Sequence, residues 1–390
     1  MSQIAATGPR PPRALLAAAS VVIVGLLAMT MPATGGRLPA LVLIGAAMGM
    51  TLAHGGYGFA YGWRALVLRR DGSGAMANLL MLAAATVLFA PILARGAVFG
   101  HGVAGAIAPA GVPVAVGSFL FGVGMQMSGA CASGCLYASG GGNLRTLLAL
   151  LFFCAGAFIA TFQLPWWLSL PSLGAVSFGG MIGWGPGAAL QIVALGGLAL
   201  ILRRFAPPAS PMMRAWLPKG SAWFRGPWPL PFAALMLAGL NWLTLLIAGH
   251  PWSIVWGFTL WGAKGASLLG WVPPAHGFWS WPFPHAALSH GILADETSVM
   301  NISIVLGALL ASAIGGRFSL TAKFEPLPLL SAALGGLAMG YGARLAFGCN
   351  IGSLFSGIAS TSLHGWEWLV FALLGTPVGI ALRRRFGLPD

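Results

Sequence analysis

The sequence predicts an all-α polytopic membrane protein made of two pseudo-symmetric halves, each with broken or re-entrant helical hairpins. Three observations predict this fold: long apolar runs, a scarcity of charge, and one glycine-rich pattern that occurs twice. Of the 390 residues, 58% are hydrophobic and 7% are charged, whereas soluble domains carry about 25% charged residues. The apolar runs are long enough for helices that cross a bilayer, and they lack the alternating polarity of membrane β-strands.

The repeated pattern indicates two related halves. It reads GVGMQMSGACASGCLYA at residues 122–138 and GYGARLAFGCNIGSLFS at residues 340–356, which places Cys131 opposite Cys349. A glycine-interrupted apolar segment at corresponding positions of two repeats is typical of transporters whose binding site lies between the repeats. Glycine supports a turn inside the membrane because it accepts backbone conformations that other residues avoid. We therefore expect helices that break inside the bilayer and bring two thiols together.

The chain divides at a basic, proline-rich loop, residues 203–228, into a first half at 1–202 and a second half at 229–390. Each half has the same order of segments: a glycine-rich one with a cation, a plain span, the cysteine segment and another span. In the first half these segments are 53–70, 75–93, 112–139 and 144–162, and in the second half they are 252–269, 297–314, 327–360 and 366–382. The glycine-rich and cysteine segments are expected to be the broken ones. Loops rich in tryptophan and proline, at 163–171 and 271–285, are expected at the membrane interface.

The charge of the chain fits a membrane protein better than a nucleic-acid-binding protein. The net charge is +14, from 20 basic and 6 acidic residues. In membrane proteins such an excess follows from the rule that cytoplasmic loops are basic. The clusters at 69–70, 203–225 and 383–385 are therefore expected in the cytoplasm, and no nucleic acid is expected as a partner. No acid lies between residues 72 and 294, which disfavours a carboxylate proton relay and favours a path for an anion.

Cys131 and Cys349 are the first candidates for a substrate path. A thiol is a weak, polarisable hydrogen-bond donor, which suits a soft sulfur anion better than a hard oxyanion. Alternatively, each cysteine is a compact residue at a helix contact. Cys135 follows Cys131 by one helical turn and so lies on the same face. The other candidates are polar or cationic residues of the broken segments: Ser133, Asn350, Gln126, Arg344, Arg64 and Lys264. The alternative for the cations is a side chain that extends to the interface.

The two cysteine motifs, GACASGCLYASGGGN and GARLAFGCNIGSLFSGIASTSLHGWEW, resemble the paired signatures of the YeeE/YedE family of sulfur-transport proteins. The resemblance implies a multi-pass permease of the bacterial inner membrane that takes up a small sulfur-containing anion, thiosulfate in the best understood members. It implies that the motif cysteines pass the anion along through S–H···S hydrogen bonds. A small TusA-like sulfur-carrier protein often accompanies such transporters. Members commonly carry a third cysteine in the first glycine-rich segment, where this chain has Gly58.

Two other functions remain open at this point. A membrane thiol enzyme, such as a sulfurtransferase that forms a persulfide on Cys131 or Cys349, would need a base to activate the thiol. His364 is the nearest such group to Cys349 in sequence, and no carboxylate lies near Cys131. An accessory membrane subunit would not need the repeated thiols. The histidines and cysteines lack the spacing of metal ligands, so neither a metal nor a cofactor is expected.

Overall fold

The structure is a computed structural model that describes residues 13–34, 36–320 and 325–388. The helices up to residue 205 are α1 (Arg13–Thr34), α2 (Arg37–Gly55), α3 (Phe59–Arg69), α4 (Ser73–Arg95), α5 (Val112–Ser128), α6 (Ala132–Gly140), α7 (Leu144–Leu168), α8 (Phe178–Ile182) and α9 (Trp184–Phe205). The later helices are α10 (Ala222–Arg225), α11 (Leu230–Ala248), α12 (Val255–Leu268), α13 (Pro282–Ser289), α14 (Glu296–Ile314), α15 (Pro326–Leu345), α16 (Ser356–Ala359) and α17 (Leu363–Arg385).

Ten of the described helical segments are long and apolar enough to cross a membrane. The strands of the described residues are short and lie in loops: β1 (Ala97–Val98) pairs with β2 (His101–Gly102), and β3 (Pro109–Gly111) pairs with β4 (Ser172–Ala175), both antiparallel. The prediction of an all-α polytopic membrane protein is therefore confirmed.

Four of the apolar segments are broken, as the sequence predicts. The breaks are 56–58 between α2 and α3, 129–131 between α5 and α6, 249–254 between α11 and α12, and 346–349 before a π-helical turn, Asn350–Phe355. Gly129 (φ 88°) and Gly249 (φ 75°) end the first helix of their segments in the left-handed region, which glycine enters at little cost. Non-helical backbone within a membrane is stable only where protein or water covers it. The breaks at 56–58, 129–131 and 346–349 therefore mark the interior of the bundle, whereas the break at 249–254 begins where Gly249 accepts a hydrogen bond from the loop before α5.

The two halves exchange packing partners. α2 packs against α14, and α11, which holds the equivalent place in the second half, packs against α4. In the same way α5 packs against α17, and α15 packs against α7. Each half therefore completes the core of the other. α9 packs against α4, just as α1 packs against α14. The division of the chain at 203–228 stays a prediction.

Equivalent helices run in opposite directions. At one end of the α5–α15 pair, a Cβ added to Gly117 would lie 2.9 Å from the backbone nitrogen of Ala346, and at the other end a Cβ on Gly335 would lie 2.6 Å from that of Ser128. The start of α5 thus meets the end of α15, and glycine lets the two backbones approach closely. The start of α2 likewise meets the end of α11, because the side chain of Arg37 donates to the backbone carbonyl of Ala248 at 2.5 Å. Opposed equivalent helices form an inverted repeat, an arrangement found in many transporters.

The helix ends define two sides of the bundle. We name one of them the basic side, because it holds the basic loop between α9 and α11, the three arginines at the end of α17 and Arg145 at the start of α7. Contacts of Gly129 with Arg145 and Arg383, and of Gly226 with Arg317, lie on this side. The opposite side holds the loops before α5, after α7 and before α14. By the rule that cytoplasmic loops are basic, the basic side is expected in the cytoplasm.

Candidate functional site at the helix breaks

Cys131 caps the short helix α6 at the break after α5. Its sulfur accepts a hydrogen bond from the N–H of Gly134 at 3.4 Å and lies 3.4 Å from the hydroxyl oxygen of Ser133. The backbone of Phe59, at the start of α3, lies beside the same sulfur. The thiol thus sits at the N-terminus of one half-helix and next to that of another. Unpaired backbone N–H groups make such places favourable for negative charge.

Cys349 holds the equivalent place in the second half. It caps the π-helical turn, and its sulfur accepts from the N–H of Ile351 at 3.4 Å. Single π-helical turns occur frequently at functional sites. Ser353, the equivalent of Cys135 in the repeat, stabilises the turn because its hydroxyl donates to the carbonyl of Ala346 at 2.6 Å. The two motif cysteines therefore have the same backbone role in both halves.

Both thiols are buried in the main core of the protein. Cys131 and Cys349 belong to the large group of buried side chains that fills the bundle, and Cys131 lies within electrostatic reach of Cys349. Neither faces the lipid, because their exposed fractions are 1% and 0%. Cys135 is also fully buried, and its thiol donates to the carbonyl of Ala130 at 3.7 Å. All four cysteines are free thiols, and Cys154, on the plain helix α7, is partly exposed.

Asn350, beside Cys349, is buried but unpaired. It has no exposed surface, and within the described residues neither its Nδ2 nor its Oδ1 has a hydrogen-bond partner. Buried polar groups are nearly always paired, so the unpaired amide keeps Asn350 a candidate contact for a ligand. The hydroxyl of Tyr57 and the indole N–H of Trp252, both at helix breaks, are buried and unpaired in the same sense. Sequence reasoning missed these two, because an aromatic residue in an apolar segment is expected only to pack.

Gln126 and Arg64 lie together near the break at 129–131. Arg64 donates to Oε1 of Gln126 at 3.3 Å, and the amide nitrogen of Gln126 donates to the carbonyl of Ala60 at 3.1 Å. Gln126 is fully buried and so ties α3 to α5. The backbone carbonyl of Gln126 accepts a hydrogen bond from the guanidinium of Arg383 at 3.0 Å. Two cations therefore lie beside the first-half break, on the way to the basic side.

The two cations of the second half have different surroundings. The guanidinium carbon of Arg344 lies 4.7 Å from the centre of the Phe278 ring, and no described residue accepts a hydrogen bond from its buried Nε. Arg344 lines a cavity of about 590 Å³ on the opposite side. Lys264 instead donates to the carbonyls of Leu288 and His290, at 3.0 and 2.7 Å. The structure thus brings Arg344 to an open cavity and Lys264 to a loop, and the binding roles of both stay predictions.

Gly58, where the family commonly has a third cysteine, lies next to the residues that surround Cys131. Its φ of −142° and ψ of 120° are an extended conformation that any residue adopts. A Cβ added here would lie 3.5 Å from the hydroxyl of Tyr137, which is an ordinary contact distance. The backbone of this chain therefore has room for a side chain at the position that glycine occupies.

An inverted repeat, helices that break inside the bundle and buried polar groups at the breaks together define a membrane transporter. A family model described as Sulphur transport matches residues 54–378, and the chain belongs to this family, as its resemblance to YeeE/YedE proteins predicts. Membership confirms the prediction of a multi-pass membrane protein that transports sulfur anions, rather than an enzyme.

Named relatives agree with the family. A thiosulfate transporter TsuA from Spirochaeta thermophila is 30% identical over 294 residues, which are 69% of this chain and 77% of that protein. A thiosulfate transporter TsuA from Escherichia coli is 24% identical over 296 residues, which are 67% of this chain and 71% of that protein. The probable transporter YedE of Escherichia coli is 29% identical over 166 residues, which are 42% of this chain and 40% of that protein.

Proposed function

We propose that the chain is an inner-membrane permease for thiosulfate or a similar small sulfur-containing anion, which it passes along Cys131 and Cys349. The observation that carries the proposal is the repeated use of a cysteine to cap a broken helix, with both sulfurs buried in the main core of the protein. The name of two relatives, thiosulfate transporter, supports this class of substrate.

The capping geometry suits a thiol that must donate to an anion. In each half the sulfur accepts a backbone N–H, at 3.4 Å, and its own S–H group is left to donate. The terminal sulfur of thiosulfate is soft, as a thiol is, and hydrogen bonds between them are weak. A transport path needs binding that is strong enough to admit an anion and weak enough to release it. A series of weak donors meets that requirement.

The surroundings of the thiols favour an anion over a cation. The N-termini of α3 and α6 meet at Cys131, and helix N-termini carry partial positive charge. Asn350 adds an amide N–H with no partner among the described residues. On this proposal the anion enters past Arg344, moves from Cys349 to Cys131 and leaves past Gln126 and Arg64. Because both thiols are buried, the protein must open locally on each side in turn.

The orientation of this path in the membrane is expected from the charge of the loops. The rule that basic loops are cytoplasmic places the exit near Gln126 at the cytoplasmic side. A TusA-like carrier protein would dock at that side. The stepwise exit past cations lets the anion leave the low-dielectric interior without losing electrostatic stabilisation.

Uptake of radiolabelled thiosulfate into proteoliposomes tests the proposal. Replacing Cys131 or Cys349 with alanine is expected to reduce uptake at least about tenfold, because each change removes a hydrogen-bond donor from the path. Cys154→Ala is the matched control: Cys154 lies on a plain helix and is expected to be dispensable. Full uptake by the Cys131→Ala/Cys349→Ala double variant, inserted normally into the membrane, would contradict the proposal.

A persulfide-forming enzyme has less support than a permease. In the described residues, the partners of the two sulfurs are backbone N–H groups and the hydroxyl of Ser133, and none of these is a base. His364 is held by the hydroxyl of Ser362 at 2.7 Å. No group of three His, Cys, Asp or Glu side chains in the described part of the chain is arranged to bind a metal ion. Mass spectrometry after exposure to thiosulfate separates the two functions, since a stable added sulfur on either cysteine would support the enzyme.

A further inference from the structure

The cavity beside Arg344 opens on the opposite side, and we name it the outer cavity. Its volume is about 590 Å³. Its walls come from the end of α15, the start of α14, the break before α12 and the loop that contains α13. Ser253, in the lining, touches the turn that follows Cys349, because a Cβ on Gly352 would lie 3.8 Å from the Ser253 hydroxyl oxygen. The outer cavity therefore ends beside the second-half helix break.

Arg344 gives the outer cavity a positive charge that no carboxylate of the described residues neutralises. The two nearby acids are already engaged. Glu296 contacts Arg37 at 2.8 Å and His250 at 3.0 Å, and Asp295 accepts from the indole N–H of Trp256 at 2.8 Å. A guanidinium without a carboxylate partner is suited to bind an anionic group through paired N–H donors.

Aromatic rings form much of the remaining wall. The rings of Trp256 and Phe283 are 4.7 Å apart between centroids, and those of Phe278 and Trp281 are 5.1 Å apart. Phe283 is 65% exposed, so its ring is available to a ligand. A cavity of this size falls in the range of sites for drug-sized organic molecules, about 300–1,000 Å³. An inorganic sulfur oxyanion would fill a small part of it and would leave the rings without a partner.

We propose that the outer cavity is a binding site for organic sulfonates, in which Arg344 binds the sulfonate group and the aromatic rings contact the organic part. The choice of sulfonates among organic anions rests on the proposed function, because the cavity ends beside the turn that follows Cys349 and so adjoins the proposed sulfur-anion path. Binding itself does not depend on transport. An organic sulfonate held here would block the entrance and so inhibit thiosulfate uptake.

Isothermal titration of the full chain in lipid nanodiscs tests the proposal with benzenesulfonate as the probe. Sulfate, which lacks the organic part, and benzenesulfonamide, which lacks the charge, are the comparison ligands, and benzoate tests the choice of sulfonates. Benzenesulfonate is expected to bind at least about tenfold more tightly than sulfate or benzenesulfonamide. Equal or weaker binding than sulfate would overturn the proposal, and tighter binding of benzoate would overturn the assignment to sulfonates.

Variants separate the two parts of the site. Arg344→Gln is expected to weaken benzenesulfonate binding about tenfold or more, because it removes the charge-assisted hydrogen bonds. Phe283→Ala is expected to weaken benzenesulfonate about fivefold and to leave sulfate unchanged. Arg95→Gln, which removes an exposed arginine at the end of α4, is the matched control and is expected to have no effect.

Loss of binding in Arg95→Gln equal to that in Arg344→Gln would overturn the proposal, as would unchanged binding in Arg344→Gln. If Arg344→Gln does not insert into the membrane, Arg344→Lys and Phe283→Ala still decide the outcome: both must weaken benzenesulfonate. Because the titration involves no transport, its result stands apart from the cysteine uptake experiment. Benzenesulfonate binding that survives in Cys349→Ala would show that the outer cavity acts independently of the thiol.

Discussion

Replacing Asn350 with leucine is expected to stabilise the protein while reducing transport. Its side-chain amide has no exposed surface and no partner among the described residues. Leaving a buried polar group unpaired costs about 1–3 kcal/mol. Leucine has a similar size and no polar atoms, so Asn350→Leu is expected to raise the free energy of unfolding by about 1–3 kcal/mol. Thiosulfate uptake is expected to fall at least about tenfold, because the variant lacks a donor beside Cys349.

Asn241 provides a matched control with the opposite expected sign. It is equally buried, but both atoms of its side-chain amide are paired. Its Oδ1 accepts from the backbone N–H of Trp252 at 2.7 Å, and its Nδ2 donates to the hydroxyl of Ser356 at 3.2 Å. Asn241→Leu is therefore expected to destabilise the protein by about 1–3 kcal/mol, since it leaves these groups unpaired. Chemical unfolding in detergent and uptake in proteoliposomes measure both effects. If Asn350→Leu lowers the free energy of unfolding, as Asn241→Leu is expected to do, then Asn350 supports the broken backbone and is not a ligand of the anion.

Two further predictions concern Gly58, where the family commonly has a cysteine, and His250, on the side of the bundle opposite the basic side. Gly58→Cys is expected to leave the melting temperature unchanged, because the new Cβ would have an ordinary contact with Tyr137. Gly74→Cys is the control and is expected to lower the melting temperature, because its Cβ would lie 2.6 Å from the α3 backbone. Equal melting temperatures of the two variants would contradict this prediction. Burial alone would lower the pKa of His250, but hydrogen bonds to Glu296 and to a backbone carbonyl raise the pKa above its usual 6.5. The stabilisation from protonated His250 is complete below the pKa that His250 has in the unfolded chain. It is lost as the pH rises through the higher pKa that His250 has in the folded protein. The melting temperature difference between the protein and His250→Gln is therefore expected to shrink from about pH 5 to 9, and a constant difference would contradict the assignment.

The helix breaks could be predicted from the sequence because their chemistry is local. Gly129 ends α5 with a φ of 88°, and the glycines around Cys131 and Cys349 indicate an interruption wherever the chain is placed. The exchange of partners between the halves could not be predicted in the same way. An apolar helix surface is equally suited to lipid and to another helix, and the contacts of glycine with a distant backbone depend on the whole fold.

The loop 271–285 shows the same limit. Its tryptophans and prolines predict a position at the membrane interface, which stays a prediction, but they did not indicate that Phe278 and Trp279, 4% and 1% exposed, pack with Leu164 and Ala263. Hydropathy does not distinguish burial in protein from contact with headgroups. The sequence also could not indicate that the side-chain amide of Asn350 lacks a hydrogen-bond partner, because its pairing depends on which residues fold around it.

The ratio of thiosulfate to sulfate uptake by a Cys131→Ser/Cys349→Ser double variant tests the central claim most directly. Serine keeps a hydroxyl donor of similar shape but replaces a soft sulfur by a hard oxygen. If soft donors select the substrate, this ratio is expected to fall severalfold relative to the unaltered protein, measured in the same proteoliposomes. An unchanged ratio would mean that the two thiols do not recognise sulfur, and the path would have to be assigned to other residues.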